Sequence, residues 1–97
     1  MNYRLTGQAE EDILRIFVEG ARLFGIDQAE RYHLELTRLF ELIAANPKLA
    51  RERMEISPPV RMHPHKAHLI IYVTDEVGKV LIVRVRHAHE DWESEPI

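Results

Sequence analysis

Six side chains able to do chemistry gather in the last third of the chain: Arg61, Lys66, Arg84, Arg86, His87 and His89. Guanidinium groups hold phosphate or carboxylate two bonds at a time, and imidazole passes protons near neutral pH. The set fits two tasks. It can stabilise a phosphate or RNA transition state, with a histidine or tyrosine moving the proton, or it can meet an acidic protein surface. Glu90, Asp91, Glu93 and Glu95 follow immediately and would repel a phosphate chain, which favours the protein surface.

Other site chemistries lack support. His63-Pro64-His65 and His87-Ala88-His89 have the alternate spacing that puts two imidazoles on one strand face, but no spacing fixes a third ligand, so no metal and no cofactor is expected. Ser57 and Ser94 have no nucleophile-elbow glycines around them, which argues against a Ser-His-Asp hydrolase. The glycines stand singly at positions 7, 20, 25 and 78, so there is no phosphate-cradling loop either.

A chain of 97 residues, 45% hydrophobic and 30% charged, is expected to form one domain with one core and one site. The absence of cysteine excludes a disulfide framework and fits a cytoplasmic protein. No apolar run approaches the roughly 20 residues needed to span a bilayer, and Met1-Asn2-Tyr3-Arg4 leads into no signal-type apolar stretch, so no membrane role is expected. A net charge of −3 counts against a protein that grips a nucleic-acid backbone through lysine and arginine.

The elements that must position these residues follow from periodicity. Asn2 to Leu5 alternates as a short strand, and Thr6 can cap a helix whose first turn carries Glu10, Glu11 and Asp12. Ile13, Ile16, Phe17, Ala21 and Phe24 recur at the spacing of a buried stripe until Gly25 stops the helix. Gly20 inside that stripe implies close approach of a second helix. Asp27 with Glu30 reads as a capping box for that helix, whose stripe is Ala29, Tyr32, Leu36, Leu39, Phe40 and Ile43, ending at Asn46-Pro47. Lys48 to Pro59 has neither period and reads as loop. A strand from Pro59 to His63 is expected to stop at Pro64, with His65-Lys66-Ala67 as its turn. His68 to Thr74 and Lys79 to Val85 flank the break Asp75-Glu76-Val77-Gly78 as a hairpin. Alternation sends Arg84 and Arg86 to one face and Val83, Val85 and His87 to the other. The sum is an α+β domain, β-α-α-β-β-β, with a helical hairpin packed on a mainly antiparallel four-stranded sheet. Leu14, Val18, Leu34 and Leu42 lie at the edge of or outside the helix stripes, either as ordinary surface residues or as a groove for a partner segment.

In this order the elements resemble the ParE toxins of the RelE/ParE toxin-antitoxin superfamily. The resemblance rests on Tyr3-Arg4-Leu5-Thr6, Gln28-Ala29-Glu30-Arg31-Tyr32, Asn46-Pro47, Val60-Arg61, the His68 to Val73 strand with Tyr72, and Arg84-Val85-Arg86-His87 followed by Asp91. It implies a cytoplasmic toxin that poisons DNA gyrase by binding, serves plasmid stabilisation, and is neutralised in a hetero-oligomer by a ParD-like antitoxin. Read with the residues above, it places target contacts at Arg61, Arg84, Arg86, His87 and Trp92, and antitoxin contacts at Leu14, Val18, Leu34 and Leu42. Trp92 has a second reading, as a residue that packs the tail onto the sheet. The alternative is the RelE-like branch, ribosome-dependent mRNA endoribonucleases, for which Arg61, Arg84 and His87 would be catalytic. Leu69 stands where those ribonucleases carry an arginine, and no tyrosine follows Tyr72.

Overall fold

Where the first strand gives way to the first helix, the Thr6 hydroxyl accepts from the Ala9 N–H at 3.0 Å and donates to the Val83 carbonyl at 2.7 Å. One side chain thus caps the helix, as expected, and ties it to a strand 77 residues further along the chain. A computed structural model describes residues 2–88 and shows β1 (Tyr3–Leu5), α1 (Gly7–Phe24), α2 (Ile26–Ala45), β2 (Glu52–Arg53), β3 (Val60–His65), β4 (His68–Thr74) and β5 (Val80–His87). The strands form one sheet in the order β1-β5-β4-β3-β2. Pairing is antiparallel except between β1 and β5. The α+β architecture with its helical hairpin is therefore as expected, with five strands in place of four.

The added strand is β2, inside the stretch read as loop. Its two residues pair with Val60 and Arg61, and a strand that short shows no alternation to detect. The next strand also runs further than expected, through Pro64 to His65, leaving Lys66-Ala67 as a two-residue turn with Lys66 at φ 53°. Proline is tolerated there because β2 reaches only Val60 and Arg61. Beyond them that edge of β3 pairs with no described strand, and a missing N–H breaks no ladder bond.

Gly25, at φ 91°, ends α1 and starts α2, so a single residue turns the chain. Asp27 falls within the first turn of α2 rather than at its cap, and the expected capping box does not form, because Gly25 already occupies the cap position. At the other end Asn46 caps α2 through both its backbone N–H and its side-chain amide.

Two apolar clusters sandwich the sheet. Ile13, Leu36, Leu39, Phe40 and Ile43 from the helices pack on Ile70, Tyr72, Val80, Ile82 and Val85. Val60, Met62 and Ile71 meet Ile56 on the other face. Fully buried Tyr72 also tethers the loop after α2, donating to the Pro47 carbonyl at 2.9 Å and accepting from the Ala50 N–H at 3.2 Å. Burial raises its phenol above the ordinary tyrosine value.

Gly20 does face α2, but a Cβ there would lie 3.7 Å from the Ala29 Cβ, an ordinary contact. Gly20→Ala is expected to raise stability by roughly 1 kcal/mol in urea denaturation. Tyr72→Phe is expected to lower it by about 1–3 kcal/mol, because two loop groups lose their buried partner.

Candidate functional groove

Past Leu5 and Ile82, β1 no longer covers β5, and α1 crosses that open edge. A buried strand amide without a partner is costly, and Asp12 supplies the partner. Its carboxylate accepts from the Val85 N–H at 3.0 Å and from the Arg84 guanidinium at 2.7 and 3.1 Å, with Arg15 at 3.4 Å. Asp12 is 3% exposed, so its charge is balanced by arginine rather than by water. Sequence reasoning gave Asp12 only a helix-dipole role. The contact joins residues 72 positions apart, and no local pattern reports it.

The same strand carries an irregularity that decides which side chains face the helices. Thr74 pairs with Val80 and Tyr72 with Ile82, but Ile71 pairs with Arg84, and Val83 stands opposite no residue of β4. Ile82 and Val85 therefore both join the helix-side core, and the expected common face for Val83, Val85 and His87 holds only for the last two. A regular ladder would set His68 opposite Arg86. The extra residue sets it opposite His87 instead. Arg84 and Arg86 share the far side, opposite Ile71 and Leu69, and Arg84 reaches round the edge to Asp12.

On the helix side lies an open groove of about 550 Å³ between α1, α2, the Lys66-Ala67 turn and the end of β5. Its walls are Ile13, Ile16, Phe17, Leu23, Phe24 and Leu36, with Tyr32, His68 and His87 at one end. The stripe expected to be buried along α1 is buried only at Ile13, while Phe24 is 72% exposed. The helical hairpin extends past the sheet, and the outer half of the stripe becomes groove wall instead of core.

At the imidazole end the Tyr32 hydroxyl lies 2.6 Å from His68 Nδ1. The His65 ring stacks on Tyr32, and the rings of His68 and His87 meet edge to face at 5.6 Å. Burial, with the Glu35 carboxylate adding to it, pushes the Tyr32 phenol up to about 12, so it stays a neutral hydrogen-bonding group. Glu35 in turn is held below the ordinary carboxylate value by Lys66, 2.7 Å away.

The expected site residues divide between several places. Arg61 donates to the Ala50 carbonyl at 2.6 Å, away from the β5 arginines. Arg84 is bound to Asp12, with its side chain 19% exposed. His87 lines the groove and Arg86 lies on the opposite side of the sheet. Trp92 and His89 fall outside the described residues. Leu14, Val18, Leu34 and Leu42 are all exposed, but none lines the groove. Among the described residues, no cluster of three or more His, Asp or Glu is placed to hold a metal ion, and no helix is long and apolar enough to cross a membrane.

A family model for the ParE toxin of type II toxin-antitoxin systems, parDE, matches residues 3–92. The chain belongs to the ParE toxin family. Toxin ParE1 of Mycobacterium tuberculosis is 37% identical over 68 residues, covering 70% of this chain and 69% of the relative. Toxin ParE1 of Caulobacter vibrioides is 30% identical over 86 residues, covering 88% and 86%. A solved structure described as the chromosomal ParDE TA system from P. aeruginosa superposes with a TM-score of 0.76 over 90% of this chain and 95% of that one. At 16% identity, that likeness concerns the ParE fold alone.

Sequence reasoning missed the groove because its walls look like core in one dimension. The available signal was a helix stripe longer than a short sheet can cover. Asp12→Ala is expected to destabilise the domain by about 3–5 kcal/mol in denaturant titration, since it leaves Arg84 and the Val85 amide without their acceptor.

Proposed function

We propose that this ParE-family toxin acts in the cytoplasm by binding DNA gyrase, and that a ParD-like antitoxin neutralises it by laying an amphipathic segment into the groove between α1, α2 and the end of β5. The observation that carries the reading is the open apolar wall of Ile16, Phe17, Leu23 and Phe24, in a chain whose family is defined by toxin-antitoxin pairing. Target contact falls to Arg86, His87 and the tail residue Trp92. His87 lines the same groove, so an antitoxin seated there covers part of the target surface.

Two observations favour contact over bond-breaking. Of the residues an endoribonuclease would use, Arg61 is hydrogen-bonded to a loop carbonyl and Arg84 is clamped by Asp12, so both guanidinium groups serve the fold. An ion pair of that burial is expensive to open for each turnover.

Purified toxin is expected to inhibit gyrase supercoiling, and the adjacent reading frame's antitoxin to restore it. Normal supercoiling under a large excess of toxin that still arrests growth would falsify the gyrase target. Phe17→Glu is expected to weaken antitoxin binding at least tenfold, about 1.4 kcal/mol. The combined substitution of Leu14, Val18, Leu34 and Leu42 by glutamate tests the outer helix faces in parallel. If only that variant loses binding, the antitoxin sits outside the groove.

A further inference from the structure

The charges around the groove do not cancel. Asp12 stands between two guanidinium groups. Arg84 takes both of its oxygens, at 2.7 and 3.1 Å, and the Val85 N–H takes one of them at 3.0 Å. Arg15 reaches the carboxylate with one nitrogen at 3.4 Å, the longest of these contacts. A carboxylate has about four acceptor positions, and these partners fill them. The other charges of the walls are paired, Glu19 with Arg22 and Lys66 with Glu35, which also faces His65 at 3.7 Å. Asp12, Glu19 and Glu35 thus stand against Arg15, Arg22, Lys66 and Arg84, and the cation in excess is Arg15. Its side chain is 70% exposed, while that of Arg84 is 19% exposed. Glu11, one turn back on α1, lies outside the groove walls, and Gln28 within them adds no charge.

We infer that Arg15 anchors the partner in the groove by receiving a carboxylate from it. The inference rests on the antitoxin reading above and adds the chemistry of the contact. The segment is acidic where it meets the half of α1 that is pinned to β5, and apolar where it runs along Ile16, Leu23 and Phe24. Arg15 and Ile16 are neighbours on one wall, so a partner seated on Ile16 strips water from the guanidinium. A cation dried without a counter-ion is costly. Asp12 cannot offset that cost, because Arg84 already holds both of its oxygens. A carboxylate from the segment can, and two bonds at a time, since Arg15 spends a single nitrogen on Asp12. A lysine or arginine of the segment at the same place is rejected by like charge. Arg15 also gives the groove a direction. A hydrocarbon wall alone accepts an amphipathic segment either way round, and one unbalanced charge at one end selects one orientation.

The test is the dissociation constant of the full chain for the full-length antitoxin from the adjacent reading frame, at about 0.05 M and about 0.5 M salt. Arg15→Gln leaves the Arg84–Asp12 pair in place and is expected to keep the wild-type melting temperature. It should bind about tenfold more weakly at the lower salt, and lose less affinity than the wild type on going to the higher salt. Arg15→Glu should bind more weakly still, and replacing one antitoxin carboxylate by lysine should restore it. Unchanged affinity and salt dependence in Arg15→Gln, with Phe17→Glu still weakening binding, would overturn the inference and leave the antitoxin reading intact. Tighter binding by Arg15→Gln would overturn it too, because the carboxylate that Arg15 receives would then belong to the chain's own acidic residues Glu90, Asp91, Glu93 and Glu95, in competition with the antitoxin. If neither Arg15→Gln nor Phe17→Glu changes the affinity, the groove reading and the inference fall together.

Discussion

The arrangement depends on how the unpaired edge of β5 is satisfied. β1 is three residues long and leaves the strand uncovered beyond Ile82, at a depth where water does not substitute for a hydrogen bond. Thr6 takes the Val83 carbonyl and Asp12 takes the Val85 amide, so the first two turns of α1 complete the sheet in place of a strand. Arg84 makes this possible electrically, because a carboxylate this deeply buried needs a counter-charge. A residue whose position suggests a functional arginine is thereby committed to placing a helix.

Once α1 is pinned at its N-terminal end, its other half has nowhere to bury its stripe. The sheet ends at His68 and His87 while the helical hairpin continues to Gly25, so Phe17, Leu23 and Phe24 line an open wall. Leaving large apolar side chains uncovered is unfavourable for a free chain and favourable for one that meets a partner. It is on this ground that the antitoxin segment is proposed to lie in the groove.

The extra residue at Val83 supplies the other half of the design. It turns His87 into the groove and both strand arginines to the other side. The helix-facing end is consequently lined by tyrosine, imidazole and Lys66 rather than by the strand's guanidinium groups. A one-residue change of register decides whether arginine or histidine faces the groove.

Much of this molecule was legible in one dimension. The periods of the helices and of the two long strands, the Thr6 cap and the Gly25 stop are local properties of φ, ψ and side-chain spacing, so they can be read without neighbours. The order of elements with Tyr3-Arg4-Leu5-Thr6, Tyr72 and Arg84-Val85-Arg86-His87 was enough to indicate the family. The two-residue strand β2, the continuation of β3 through Pro64 and the bulge at Val83 were not legible, because each exists only through pairing with a distant segment. The same holds for the groove. The sequence by itself determined that α1 has an apolar face and that arginine and histidine alternate along β5. Only the tertiary structure decided that half of that face stays open, that Arg84 serves Asp12, and that His87 meets His68, because burial and register depend on where a strand ends in space.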